Sequence, residues 1–116
     1  MSGSSPNQKY RTCIDACNDC FETCELCATL CLREDDVKMM TKCIQLCHDC
    51  ATICAIACQF MSRDSVYVRQ TCELCANICD GCATECEKHQ QHMEHCKVCA
   101  QACRICEEEC RLLATK

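Results

Sequence analysis

The sequence contains no Trp, two Phe, two Tyr, two Gly and one Pro among its 116 residues. With so few rings, the interior of this chain is filled by something smaller than aromatic side chains. The same shortage removes the stacking platforms of a single-strand nucleic-acid binder. The formal charge is −5, from 17 acidic and 12 basic residues that are interspersed rather than blocked. No basic stripe can track a phosphate backbone, so nucleic acid is not an expected partner. No run of about 18 apolar residues suggests a bilayer span, and no membrane partner is expected. The opening MSGSSPNQKYRTC also lacks the apolar segment of a secretion signal. The expected location is therefore the reducing cytosol.

Cysteine is what the chain has in excess, at 21 residues. In a secreted chain such a content reads as a disulfide scaffold. Here an odd count leaves one thiol over, and a loop-rich cross-linked fold needs more turn residues than two Gly and one Pro. No Ser/His/Asp set is evident, and a catalytic thiol would be one activated cysteine beside a base, so an enzyme is not expected. A ferredoxin-type cysteine run ending in Pro is also missing.

The cysteines fall into four segments. The first carries Cys13, Cys17, Cys20, Cys24, Cys27 and Cys31, and the second Cys43, Cys47, Cys50, Cys54 and Cys58. The third carries Cys72, Cys75, Cys79, Cys82 and Cys86, and the fourth Cys96, Cys99, Cys103, Cys106 and Cys110. Steps of three and four alternate, giving the 3.5-residue period of an inward-facing seam in packed helices. The spacing predicts helices over residues 6–33, 36–61, 65–88 and 91–114, with 1–5 as a flexible N-terminus and 1–116 as a single domain. Ser5-Pro6 suits N-cap and N1 of the first helix, Asp35 or Asp36 the cap of the second, and Asp64 or Ser65 the cap of the third. Short connections make sequential helices antiparallel. The predicted fold is all-α, an up-down-up-down four-helix bundle with a cysteine-lined core.

Stacking the seams gives five layers of four. They are Cys31/Cys43/Cys86/Cys96, Cys27/Cys47/Cys82/Cys99, Cys24/Cys50/Cys79/Cys103, Cys20/Cys54/Cys75/Cys106 and Cys17/Cys58/Cys72/Cys110, with Cys13 left over. In the second helix Ala57 takes the heptad position, and Cys58 lies one residue beyond it. Past Cys13 the seams continue into Met61, Val68 and Leu113, an apolar plug. The opposite end gathers Met39, Met40, His89, His92, Met93 and His95, with His48 about two turns into its helix. His48, His89 and His92 are read as candidate ligands beside the 21 cysteines. Leu46, Ile53, Ile56, Phe60, Tyr67, Leu74 and Ile78 flank the seams, and an already full interior leaves them for a subunit interface.

Two cysteines four residues apart on a helix sit on one face, with Cβ atoms about 5–6 Å apart, so C-x-x-x-C is a two-sulfur clamp. Thiolates select Cu(I), Zn(II) or iron–sulfur clusters. Each Zn(Cys)4 unit keeps two negative charges, costly when stacked in a dry core. A monovalent ion with two or three bridging thiolates nearly cancels the charge and fits a narrow column. The expected cargo is thus Cu(I), roughly 20 ions per chain. A Zn(II)/Cd(II) metallothionein-like buffer, or a detoxification sink, is the alternative.

The C-x-x-x-C ladders over four segments, the stretch CELCANICDGCATECEKH and the ending CKVCAQACRICEEEC resemble the cytosolic copper storage proteins. The resemblance runs from Cys13 to Cys110. It implies a four-helix bundle, usually a homotetramer, holding many Cu(I) ions on inward thiolates, with access at a His-containing open end. A copper chaperone or chelator is the implied donor or acceptor.

Overall fold

The computed structural model describes residues 5–116. The expected flexible segment 1–5 therefore falls on residues outside that range, except for Ser5. Ser5 caps helix α1 (Pro6–Lys9) through a capping box with Gln8, and Pro6 stands at its start. The chain turns at Tyr10 and continues as α2 (Arg11–Leu32), so the first predicted helix is broken near its N-terminus. Then follow a 3-10 turn (Val37–Met40) and the helices α3 (Thr41–Ser62), α4 (Val68–Glu87) and α5 (Glu94–Ala114).

The four long helices match the seams, but their starts differ from the sequence expectation. The residues before α3, α4 and α5 make no side-chain capping bond. Asp36 precedes the 3-10 turn without capping it, so α3 begins at Thr41 rather than 36. The Ser65 hydroxyl accepts from the Tyr67 amide at 3.1 Å in a local turn, and α4 begins three residues later. Asp64 sits in the left-handed region at φ 49°, tolerated by Asp, and is turned toward α1 instead of capping α4. The link before α5 extends to Met93, so that helix begins at Glu94 rather than 91.

Helix α2 borders α3 and α5, and α4 borders the same two, which places α2 opposite α4 and α3 opposite α5. The plug end closes as its composition predicts. Met61 is fully buried and Val68 nearly so, and Tyr10 covers them. The Tyr10 hydroxyl donates to Asp64 Oδ1 at 2.5 Å, and Lys9 pairs with the same carboxylate at 3.5 Å. The surface is laced with ion pairs, chiefly Arg104 with Asp80, Glu87 and Glu107 across α4 and α5. Of the flanking apolar residues, Ile53 is buried, and Leu46, Ile56, Phe60 and Ile78 pack partly against the core. Tyr67 and Leu74 remain exposed.

The stretch Val37–Ser62 is long enough and apolar enough, at a mean hydropathy of 1.3, to cross a membrane. The expectation of no such stretch is corrected on that measure. Its buried face, however, is the cysteine stripe with Ala51, Ile53, Ala57 and Met61, which α3 turns toward the other helices.

Because Met61 fills the plug, Met61→Ala should destabilise the reduced, metal-free protein by about 2–5 kcal/mol. Met39→Ala, at an exposed position, should change stability by less than about 0.5 kcal/mol. Anaerobic denaturant unfolding compares the two.

Candidate metal centre

Twenty of the 21 cysteines are buried, and their sulfurs form one continuous column. From the plug to the mouth, Sγ–Sγ contacts include Cys13–Cys110 at 3.6 Å, Cys17–Cys106 at 3.5 Å, Cys20–Cys50 at 3.6 Å and Cys50–Cys79 at 3.6 Å. They continue through Cys24–Cys99 at 3.7 Å, Cys82–Cys47 at 3.8 Å, Cys43–Cys86 at 3.6 Å and Cys31–Cys96 at 4.0 Å. Cys54 meets Cys75 at 3.9 Å, Cys27 meets Cys31 at 3.9 Å, and Cys72 lies beside Cys110 and Cys13. Helices α3 and α5 stand on a diagonal, yet Cys47–Cys99, Cys50–Cys103 and Cys54–Cys106 join them at 3.8–3.9 Å. Sulfur bridges the space that the backbones leave open.

The flat layers of the sequence reading give way to a stagger. Cys20 groups with Cys50, Cys54 and Cys79, and again with Cys24, Cys50 and Cys103. Cys17 groups with Cys75, Cys106 and Cys110, and Cys24 also with Cys82, Cys99 and Cys103. Heptad rungs are spaced about 5 Å along a helix. Flat layers at that spacing would leave voids between sulfurs, and interleaving closes them. One consequence is that Cys20, Cys24, Cys50 and Cys103 each belong to two quartets, the arrangement bridging thiolates need.

Two placements are corrected. Cys13, left over in the layer scheme, joins the column through Cys110, Cys17 and Cys72. Cys58, assigned to the layer of Cys17, Cys72 and Cys110, is only half-buried and donates to Asn18 Oδ1 at 3.2 Å. Ala57, fully buried, takes the inward position, and one further residue of helical rotation carries Cys58 to the edge facing α2.

The mouth also differs from its sequence reading. His48 is exposed and faces Glu25 at 3.7 Å, because it directly follows the inward Cys47 and so points away from the column. His92 lies exposed in the connection between α4 and α5. Half-buried His89 donates from Nε2 to Oε2 of the buried Glu85 at 3.1 Å. The histidine that reaches the sulfurs is His95, whose Nε2 lies 3.5 Å from Cys31 Sγ. Cys27, Cys31, His95 and Cys96 form one four-donor group. Sequence reading placed His95 among the soft donors of the mouth but chose His48, His89 and His92 as the candidate ligands. The signal was present: His95 lies four residues before Cys99, a seam step, just as Cys96 lies three before it. Met40 is buried here, and Met93 Sδ lies 4.0 Å from Cys96 Sγ, while Met39 is exposed.

Burial, with the nearby Cys43, pushes the Cys31 thiol from its ordinary 9.0 up to about 11. A thiol raised on folding favours the folded state while it stays protonated. The stability it contributes is fully present below about pH 9 and is lost as pH rises toward 11. Thermal unfolding of the reduced, metal-free protein should therefore show a falling midpoint over that interval, and a constant midpoint would count against a protonated Cys31.

The chemistry of this centre has counterparts of known character. The sequence profile described as "copper storage protein" matches residues 6–115. The uncharacterized cysteine-rich protein YhjQ of Bacillus subtilis (strain 168) is 45% identical over 93 residues, covering 80% of this chain and 84% of that protein. The solved structure of the Cu(I)-bound copper storage protein BsCsp3 superposes with a TM-score of 0.85 at 45% identity, over 90% of this chain and 96% of that one. The cytosolic copper storage protein of Streptomyces lividans, solved with five coppers, gives a TM-score of 0.91 at 37% identity, over 98% of each chain. With the profile spanning nearly every residue that builds the sulfur column, this chain belongs to the copper storage protein family.

Proposed function

We propose that this chain stores Cu(I) on its inward thiols, taking up many ions per molecule and keeping them from the surrounding solution. The observation that carries the reading is the series of sulfur contacts of 3.5–4.0 Å that recurs along the bundle, from Cys13–Cys110 at the plug to Cys31–Cys96 at the mouth. A monovalent ion between two or three thiolates neutralises about one sulfur charge, and the shared quartets let each thiolate serve two ions. Divalent Zn(II) or Cd(II) filling the same column would leave charge uncompensated at every tetrahedral unit, so a buffer for those ions is the weaker reading. A pure sink fits poorly as well, because the donors stand assembled before loading, so ions can leave again without the chain unfolding.

The ligands in this reading are Cys13, Cys17, Cys20, Cys24, Cys27, Cys31, Cys43, Cys47, Cys50, Cys54, Cys72, Cys75, Cys79, Cys82, Cys86, Cys96, Cys99, Cys103, Cys106 and Cys110. Cys58 serves at the margin, and His95 replaces the sequence choice of His48 and His92 at the mouth. Access runs through the mouth, where half-buried His89, His95 and Met93 lead to Cys31 and Cys96, since the opposite end is sealed by Met61, Val68 and Tyr10. A reducing cytoplasm keeps such thiols competent, and the Streptomyces relative is a cytosolic protein. Exposed Leu26, Leu32, Tyr67, Leu74, Ile105 and Leu112 supply the apolar surface for a homo-oligomer. The reading assigns the chain no catalysis.

Anaerobic titration of the reduced protein with Cu(I), against a chromogenic competitor, should saturate near one ion per buried cysteine, roughly 20 per chain. Saturation at one to four ions would overturn storage in favour of a sensor or carrier.

A further inference from the structure

The closed end of the column is thinner than its apolar residues suggest. Of the column cysteines, Cys13 at this end has the largest exposure, 4%, whereas Cys31 and Cys96 at the mouth are at 0%. A cleft of about 230 Å³ between α1, the start of α2 and the end of α5 reaches Cys13. A second cleft, of about 290 Å³, reaches Val68 on α4. Both have Tyr10 and Leu113 in their walls, so these side chains form the partition between them. Behind Cys13 stands Cys110 at 3.6 Å, and from there Cys17 at 3.8 Å.

What holds the partition in place is small. Helix α1 is one turn long, none of its four residues is buried, and it touches only α2 and α3 among the described elements. A single turn has too few hydrogen bonds to hold itself. The Tyr10 ring is 9% exposed and is fixed at its outer end, where the hydroxyl donates to Asp64 Oδ1 at 2.5 Å. The Lys9 ammonium pairs with the same carboxylate at 3.5 Å and lies 5.2 Å from the Tyr10 ring centroid. Both polar contacts end on one side chain, Asp64, in the turn between α3 and α4. Losing it frees α1 and the Tyr10 ring together, while the four long helices keep their own contacts.

We infer that α1 and Tyr10 form a hatch latched by Asp64, and that its opening makes Cys13 and Cys110 a second entrance to the thiol column. Local opening of this kind gives up one latch and the burial of one ring, far less than unfolding of the bundle. Through it a small thiol or chelator reaches the column without passing the mouth. Access by this route depends on the latch and not on which metal the column holds.

The test uses the full chain, reduced and metal-free under anaerobic conditions. It is labelled with limiting N-ethylmaleimide, so that each molecule reacts about once, and the modified cysteine is located by peptide mass spectrometry. Tyr10→Phe keeps the ring and removes only the donated hydrogen bond. Asp64→Gly removes the carboxylate from both contacts and suits the left-handed backbone at φ 49°. A hydrogen bond to a charged acceptor shifts an opening equilibrium by roughly tenfold or more. Each variant should therefore speed labelling of Cys13 at least fivefold, while Cys31 and Cys96 change by less than twofold. Asp64→Asn, whose amide oxygen still accepts from Tyr10, should fall between. Tyr10→Phe combined with Asp64→Gly should exceed Asp64→Gly alone by less than twofold, because both act on one latch. Arg104→Ala, which breaks ion pairs on the outer face of α4 and α5, controls for general loosening and should leave the Cys13 rate within twofold. Unchanged labelling of Cys13 in both latch variants, or an equal rise at every buried cysteine, would overturn the hatch. From the Cu(I)-loaded chain, withdrawal by a competing chelator should quicken at least fivefold in the same variants, and an unchanged rate would overturn the entrance. A low Cu(I) capacity would overturn storage and leave the labelling rates to decide the hatch.

Discussion

Contact between sulfurs in a dry column is the constraint from which the rest of the structure follows. A thiol is small, so four cysteine-faced helices draw close enough for sulfurs to touch across the bundle diagonal, as Cys47–Cys99 and Cys50–Cys103 do. Aromatic side chains would prop the helices apart, and the sequence has almost none. The buried residues beside the seams are correspondingly small: Ala28, Ala51, Ala76, Ala83 and Ala100. They let the backbones approach, and they confine larger apolar groups to the two ends and the outer face. A 5 Å rung spacing cannot be filled by flat layers of atoms in van der Waals contact, so the column staggers. The stagger in turn makes each interior thiol a neighbour of two groups.

The period of the cysteines made most of this legible before any coordinates. A 3.5-residue repeat held through four segments fixes which face turns inward, and the closed end followed from continuing each seam to Met61, Val68 and Leu113. What escaped was decided by single hydrogen bonds and single residues of rotation. Asp36 and Ser65 have the right chemistry for helix caps, but their backbones enter a 3-10 turn and a local turn, so the helices start later. Ala57 against Cys58 is a choice of which residue faces in, and the fully buried alanine wins while Asn18 gives the displaced thiol a partner. Among the histidines, proximity in sequence to the mouth was a weak guide. A step of three or four from a seam cysteine brings a ring to the sulfurs only inside a helix: His92 stands four before Cys96 and His89 three after Cys86, but α4 ends at Glu87 and α5 begins at Glu94, so His95 alone makes the step on helical backbone.

The two ends of the bundle are built on different physics. At the plug, apolar volume is locked by a short hydrogen bond from Tyr10 to Asp64, with Lys9 paired to the same carboxylate. That bond spans the break between α1 and α2 and the turn between α3 and α4, so it ties the chain's start to its middle over the last cysteines. Asp64 can reach Tyr10 because its backbone takes the left-handed conformation that few side chains tolerate. At the mouth no such lock is present among the described residues. A half-buried imidazole, a thioether and a buried carboxylate hydrogen-bonded to His89 stand around the outermost thiols. An ion entering at this end would meet donors of graded softness before the column.

A container of this kind must be stable both empty and full, and the thiol is suited to that requirement. Protonated, it behaves as a small apolar group, so the metal-free column packs as a hydrophobic core instead of a cluster of repelling charges. The upward shift of Cys31 is the same fact in terms of acidity: burial holds the proton on until a metal replaces it. Each Cu(I) that enters exchanges one positive charge for another, proton for copper, and the net charge of the column scarcely changes as it fills. A divalent ion breaks that balance, because each tetrahedral unit of four thiolates keeps two negative charges. Because neutrality holds at every stage, loading needs no folding transition, in contrast to a zinc finger whose structure appears with its metal. The fold thus exists before its cargo, and each ion bound adds to its stability without being needed to form it.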